Sequence, residues 1–203
     1  MKYIYLLLLI PFLSFSQYDT IVKTDVFTSY YSKDLRLPIM VKYTLYKGGG
    51  ECSRVGDVFH NDYKLNVVGA KEFKASGYDE GHLANAEDFA YDCKKQKGTF
   101  QFINQLPQTP NLNRGIWKHY ETVIRDLSQH DSLIVVCGGI WEDNKLVNGM
   151  RIPNKCWKVV YSISKQKVIF VLLFTNTDHA TVKELNNIEE LKLNYKINFG
   201  YGK

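Results

Sequence analysis

Apolar and polar positions along the chain sort first into strands. Residues 37–46 (LPIMVKYTLY) alternate well enough for a half-buried strand, which the segment KGGGE at 47–51 breaks. The triple glycine lacks the Gly-Lys-Ser/Thr ending of a phosphate loop. Residues 132–141 (SLIVVCGGIW), 156–164 (CWKVVYSIS) and 168–175 (VIFVLLFT) are rich in β-branched and aromatic side chains and read as core strands. Helical spacing appears twice. From Thr109 to about Gln129, Leu112, Ile116, Tyr120, Val123 and Leu127 recur at three- and four-residue steps behind Pro110 in the first turn. Near the end, Val182, Leu185, Ile188 and Leu191 predict an amphipathic helix over 182–193. Residues 52–85 are dominated by turn formers, and no repeat or low-complexity stretch interrupts the chain. Runs of strands with helices at separate places predict an α+β fold with a central antiparallel or mixed sheet. At 203 residues the chain is long enough for one domain with a substantial core.

The first residues bear on compartment. Lys2 supplies a positive charge, residues 6–15 are apolar apart from Pro11 and Ser14, and Ser14 and Ser16 stand three and one positions before a cut at Gln17. This pattern predicts a signal peptide over 1–16, a mature domain over 17–203, and a secreted or periplasmic protein. The apolar run is shorter than the ~20 residues of a membrane span, and no cysteine follows the cut to carry a lipid, so no membrane anchor is expected. Export makes Cys52, Cys93, Cys137 and Cys156 plausible disulfide partners. Cys137 and Cys156 lie in strand-like runs that can be neighbours, which favours their pairing and leaves Cys52 with Cys93. The formal net charge of +5 falls to +4 once Lys2 is removed, a modest basic excess that suits a polyanionic substrate without requiring one.

Two segments carry candidate chemistry. Asp79-Glu80-Gly81-His82 places an acid, a glycine that permits close approach and a near-neutral base within four residues. Read alone, a loop histidine is more often a surface or structural residue. Asn113, Trp117 and Glu121 are spaced four apart on one helical stripe beside the apolar one, which predicts Asn113 and Glu121 at the edge of a cleft. Their Cα atoms stand about 12 Å apart at ~1.5 Å per residue. Both cannot readily touch one ion, but a direct Asn carbonyl with a Glu bonded to the ion's water suits Mg²⁺. Without further context, a first-turn asparagine and a solvated glutamate are the commoner reading. Trp117 and Trp157 are expected in the core; Trp141 has no predicted place.

These residues occur in an ordered set. Asp79 to His82 is followed by Asn104-Gln105-Leu106-Pro107-Gln108, then by Leu112-Asn113-Arg114-Gly115-Ile116-Trp117 with Glu121 and Arg125. Arg54 and Phe59 lie upstream, and Val136 to Ile140, Ile152-Pro153, Trp157-Lys158 and Ile188-Glu189 downstream. In order and spacing the set resembles the DNA/RNA non-specific endonucleases, the ββα-metal nuclease family that includes mitochondrial endonuclease G. The resemblance covers nearly all of the predicted mature chain. It implies a hairpin bearing His82 packed on the helix that starts near Asn113. It further implies Mg²⁺, with Mn²⁺ as an alternative, bound by Asn113, and DNA and RNA as substrates cut to leave 5′-phosphate ends. His82 would be the general base in a catalytic set with Asp79, Glu121 and Asn104; Glu121 would hold metal-bound water, Asn104 would support the site, and Arg54 would meet a phosphate. One position departs: Glu80 stands where the family usually has Arg, so an anion replaces a cation that can touch phosphate.

Two rivals remain at this stage. A catalytically weakened homologue that only binds nucleic acid has Glu80 in its favour and the retained His82 and Asn113 against it. A two-metal phosphatase or phosphodiesterase would need clustered ligands, and His60, His82, His119, His130 and His179 show no such spacing. Oligomeric state is not legible.

Overall fold

The computed structural model describes residues 18–197 and Phe199. The predicted leader lies outside the described residues. In chain order the elements are β1 (Thr20–Lys23), β2 (Thr28–Ser32), β3 (Leu37–Leu45), α1 (Ala70–Phe73), β4 (Asp79–His82), α2 (Cys93–Gly98) and β5 (Gln105–Gln108). A π-helical turn, Leu112–Trp117, leads into α3 (Lys118–Leu127). Then come β6 (Leu133–Ile140), β7 (Leu146–Val147), β8 (Met150–Arg151), β9 (Lys155–Ser162), β10 (Lys167–Thr175), β11 (Val182–Glu184) and α4 (Ile188–Tyr195).

A seven-stranded sheet in the order β1-β2-β3-β6-β9-β10-β11 forms the frame, and each neighbouring pair is antiparallel. The α+β expectation is met, with the sheet antiparallel rather than mixed. Because side chains alternate across a strand, the sheet divides two cores. One face carries Val41, Tyr43, Val135, Cys137, Cys156 and Val160, and against it pack Leu106, Leu112, Trp117 and Ile124 from β5, the π turn and α3. The opposite face, with Met40, Val136, Trp157, Val159 and Val171, is covered by Leu191, Ile197 and Phe199. Trp117 and Trp157 are both fully buried, as expected for core residues. Trp141 is half-buried and its Nε1 donates to the Arg151 carbonyl at 3.3 Å.

Three expectations are corrected. Residues 182–193 are not one helix: Val182–Glu184 pairs with β10, and the helix begins only after Asn187, whose side chain accepts from the Glu190 N–H at 3.0 Å. Asn187 is thus an N-cap, and the upstream residues are extended. The supposed turn around Asp79 is a short strand, β4, paired with β5. The third concerns the cysteines. Cys52 is disulfide-bonded to Cys93, as favoured, but Cys137 and Cys156 are buried free thiols. Cys137 lies opposite Lys158 and Cys156 opposite Gly139, so the two are diagonal neighbours offset by two residues. Diagonal pairs in an antiparallel sheet lie roughly 7–8 Å apart, beyond the reach of a disulfide. Among the described residues no helix is long and apolar enough to cross a membrane.

Candidate active site

The hairpin β4–β5 sets the site. Asp79 pairs with Gln108 and His82 with Gln105. Gly81 is required for space: a Cβ there would lie 2.2 Å from Gln108 Oε1 and 2.8 Å from Gln108 Cγ. Just after His82 the chain is clamped by Asn104. Its carbonyl Oδ1 accepts from the Ala84 N–H at 2.8 Å, and its Nδ2 donates to the carbonyls of Ala84 (2.9 Å) and Thr99 (2.8 Å). With both ends of its amide engaged and no exposure, Asn104 positions the His82 strand and does not face the cleft. From below, Trp117 Nε1 donates to the His82 carbonyl at 3.2 Å, tying hairpin to helix.

The cleft between hairpin and helix encloses about 590 Å³ and is lined by residues that include Arg54, Glu80, His82, Asn113, Glu121 and Arg125. The His82 ring sits 4.5 Å from Phe59 and 4.7 Å from Phe100, centroid to centroid. Burial, reinforced by the charge of Arg54, pushes its pKa down from 6.5 to about 3. The imidazole is therefore neutral at neutral pH, and Nε2 has no hydrogen-bond partner among the described protein groups. A neutral imidazole can accept a proton, and an anionic substrate in the cleft would raise its basicity by supplying the opposite charge.

Asp79 does not contact His82. Arg114 Nε and Nη2 donate to its two carboxylate oxygens at 2.8 and 2.6 Å, and Asn113 Nδ2 donates to Oδ2 at 3.0 Å. Burial opposes ionisation of Asp79, but the hydrogen bonds from Arg114 and Asn113 outweigh it and hold the pKa below the usual carboxylate range. Anchoring the Asn113 nitrogen turns the amide so that its carbonyl oxygen is left for another partner. That is the donor a hard cation takes, and Mg²⁺ keeps most of its waters when one or two protein oxygens bind it. The residues present therefore fit a single divalent cation. Among the described residues no cluster of three or more His, Cys, Asp or Glu forms a denser ligand set.

Glu121 departs from its expected exposure: it is buried, 9% exposed, with its carboxylate at the cleft wall. Burial raises its pKa to about 7 against the opposing charge of Lys158, whose Nζ lies 3.9 Å away. Beside it the buried Asp88 accepts from Arg125 Nη1 at 2.9 Å and from the Tyr43 hydroxyl at 3.0 Å. Arg54 lies half-exposed at the rim, 3.7 Å from Glu87. Glu80 also lines the cleft, where burial raises its pKa. The structure thus brings together His82, Asn113, Glu121 and Arg54 around one cleft, with Asp79 and Asn104 behind its wall. Sequence reasoning missed Asp88, Phe100 and Lys118. For Asp88 the local sequence holds no signal, since its partners come from β3 and α3.

A profile of the DNA/RNA non-specific endonucleases matches residues 11–198, nearly the whole chain. The chain belongs to this family. A nuclease of Nostoc sp. is 36% identical over 90 residues, covering 43% of this chain and 33% of that protein. Bovine mitochondrial endonuclease G is 31% identical over 93 residues, 44% of this chain and 31% of that protein. The chain thus spans about a third of the length of these curated relatives. The solved structure of EndoG in complex with EndoGI superposes with a TM-score of 0.73 at 20% identity, covering 88% of this chain and 84% of that one, which shows a shared fold.

Proposed function

We propose that this member of the non-specific endonuclease family is an exported, Mg²⁺-dependent endonuclease acting on DNA and RNA. The observation that carries the reading is a half-buried, neutral His82 opening on the same cleft as an asparagine whose carbonyl is freed by Asp79. His82 accepts a proton from the water whose oxygen attacks phosphorus, the P–O3′ bond breaks in line, and the departing oxygen takes a proton from solvent water, leaving a 5′ phosphate and a 3′ hydroxyl. Asn113 holds the cation, with Mn²⁺ as a substitute, and Glu121 accepts hydrogen bonds from its hydration shell. When bound, the cation offsets charge developing on the phosphate and the departing oxygen. Arg54 attracts the phosphate, and residues 1–16 direct export to the periplasm or medium, leaving 17–203 as the mature domain. Glu80 favours a second reading, a weakened enzyme that binds nucleic acid.

Calorimetric titration tests the site. One Mn²⁺ or Mg²⁺ per chain is expected, lost in Asn113→Ala and weakened about 10–100-fold in Asp79→Ala. Undiminished binding by Asn113→Ala would remove that residue from the metal's coordination.

A further inference from the structure

Lys158 is a cation in the middle of the sheet. It stands on β9 between Cys156 and Val160 on the inner face, opposite Cys137 on β6 and Leu172 on β10, and it is fully buried. Burying an ammonium ion costs several kcal/mol unless partners repay it. Its neighbours are unusual partners. Nζ lies 3.8 Å above the Trp117 ring and 3.9 Å from Glu121 Oε1, and it donates no hydrogen bond to any described protein group.

The contrast with Asp88 is informative. That carboxylate is held by a guanidinium and a tyrosine hydroxyl at hydrogen-bond distance, so its acceptor capacity is used internally. Glu121 instead faces an ammonium ion beyond hydrogen-bond range, held by the indole face, an interaction strengthened by desolvation. Charge is compensated, and beyond the contact with Trp117 the lone pairs stay available to the cleft that Glu121 lines.

We propose that Lys158 is a positioning residue of the cleft: from beneath the helix it supplies the counter-charge facing the buried Glu121 carboxylate without taking up its oxygens in a hydrogen bond, so that they can accept on the cleft side. The inference rests on the reading of Glu121 given under Proposed function. Lys158 touches neither substrate nor cation. Its effect on the cleft passes through Glu121, and Trp117 fixes where the charge sits, although the same charge also acts on the buried Asp88.

The test compares Lys158→Met, Glu121→Gln and the double variant in the full mature chain, reading plasmid cleavage, Mn²⁺ affinity and thermal unfolding. Lys158→Met is expected to lower kcat and Mn²⁺ affinity about 10–100-fold, as loss of a supporting group does, with KM for DNA little changed. Its melting temperature should fall, because Glu121 is left buried without its counter-charge, and should recover when Glu121→Gln removes the other half of the pair. Added to Glu121→Gln, it should cost nothing more. Lys158→Gln, which keeps a polar group but no charge, should repeat the losses and serves if the methionine variant does not fold. Wild-type kcat and Mn²⁺ affinity in either folded variant would overturn the proposal. So would losses of kcat and Mn²⁺ affinity that add to those of Glu121→Gln, the mark of a lysine that does not act through Glu121. If the wild-type chain cuts nothing, the endonuclease reading fails separately, and Mn²⁺ affinity still decides the role of Lys158.

Discussion

Substituting Gly81 by alanine adds one methyl group to a strand residue adjoining the proposed base. The new Cβ would stand 2.2 Å from Gln108 Oε1, 2.5 Å from Cδ and 2.8 Å from Cγ, where ordinary contact begins at 3.4 Å. The worst overlap is 3.4 minus 2.2, or 1.2 Å. Swinging away the amide end alone does not relieve it, because Cγ clashes too. Gln108 is also fully buried, with Nε2 donating to Cys156 Sγ at 3.6 Å. The strands must therefore separate, at a cost of about 1–3 kcal/mol for overpacking. His82 is the next residue, and a displacement of about 1 Å at a reacting group can cost ~10²-fold in rate. Nicking of closed-circular plasmid, with thermal unfolding of the same samples, measures both effects. Gly81→Ala/Gln108→Ala removes the three clashing atoms and should recover part of the lost rate. A Gly81→Ala variant that cuts and melts like the wild type would refute the reasoning.

Other perturbations probe other parts of the account. With its pKa raised by burial to about 7, Glu121 is protonated at lower pH, so cleavage should fall as pH drops through 7, and Glu121→Gln should flatten that limb. Stability runs the other way: between the ordinary value of 4.5 and about 7 the folded chain binds a proton at Glu121 that the unfolded chain has lost. Wild-type stability minus that of Glu121→Gln should therefore fall with rising pH across that window, as seen in denaturant titrations; a value that rises would reverse the assigned shift. The Cys52–Cys93 bond closes a separation of 41 residues, worth about 4 kcal/mol by loop entropy, so its reduction should lower the melting temperature by roughly 10 °C. Thiol labelling of the native, unreduced chain should leave Cys137 and Cys156 unmodified until unfolding, and rapid labelling would contradict their burial.

How much of this was legible in the sequence depended on whether a residue's environment is local. The strands β3, β6, β9 and β10 were readable because their apolar runs are long and β-branched, which is what burial on both faces demands. Edge strands were not: Thr20–Lys23 is β-branched at three positions, but it is only four residues long and never fully buried, too short a run to stand out. Val182 and Leu185 fit a three-residue helical step equally well as a short edge strand, and only pairing with β10 decides between them. Asp79–His82 looks like a turn because its polar residues serve the cleft and its glycine serves Gln108. The residues that meet at the cleft were identified through their ordered motif. Their division of labour was not, since Asp79 turning Asn113 and Asn104 clamping Ala84 are contacts across 34 and 20 residues of sequence. Lys158 was read only as part of the motif, and its place in the buried charge network was not legible because its partners come from α3 and the π turn.

The most direct test incubates the mature protein with closed-circular plasmid and with RNA, in Mg²⁺ and in EDTA, beside a folded His82→Ala variant. Degradation of both substrates that requires the metal and disappears with the imidazole is the predicted result. Failure to cut under any metal or salt condition, with nucleic acid still bound, would contradict the endonuclease and leave a binding protein built on the same fold.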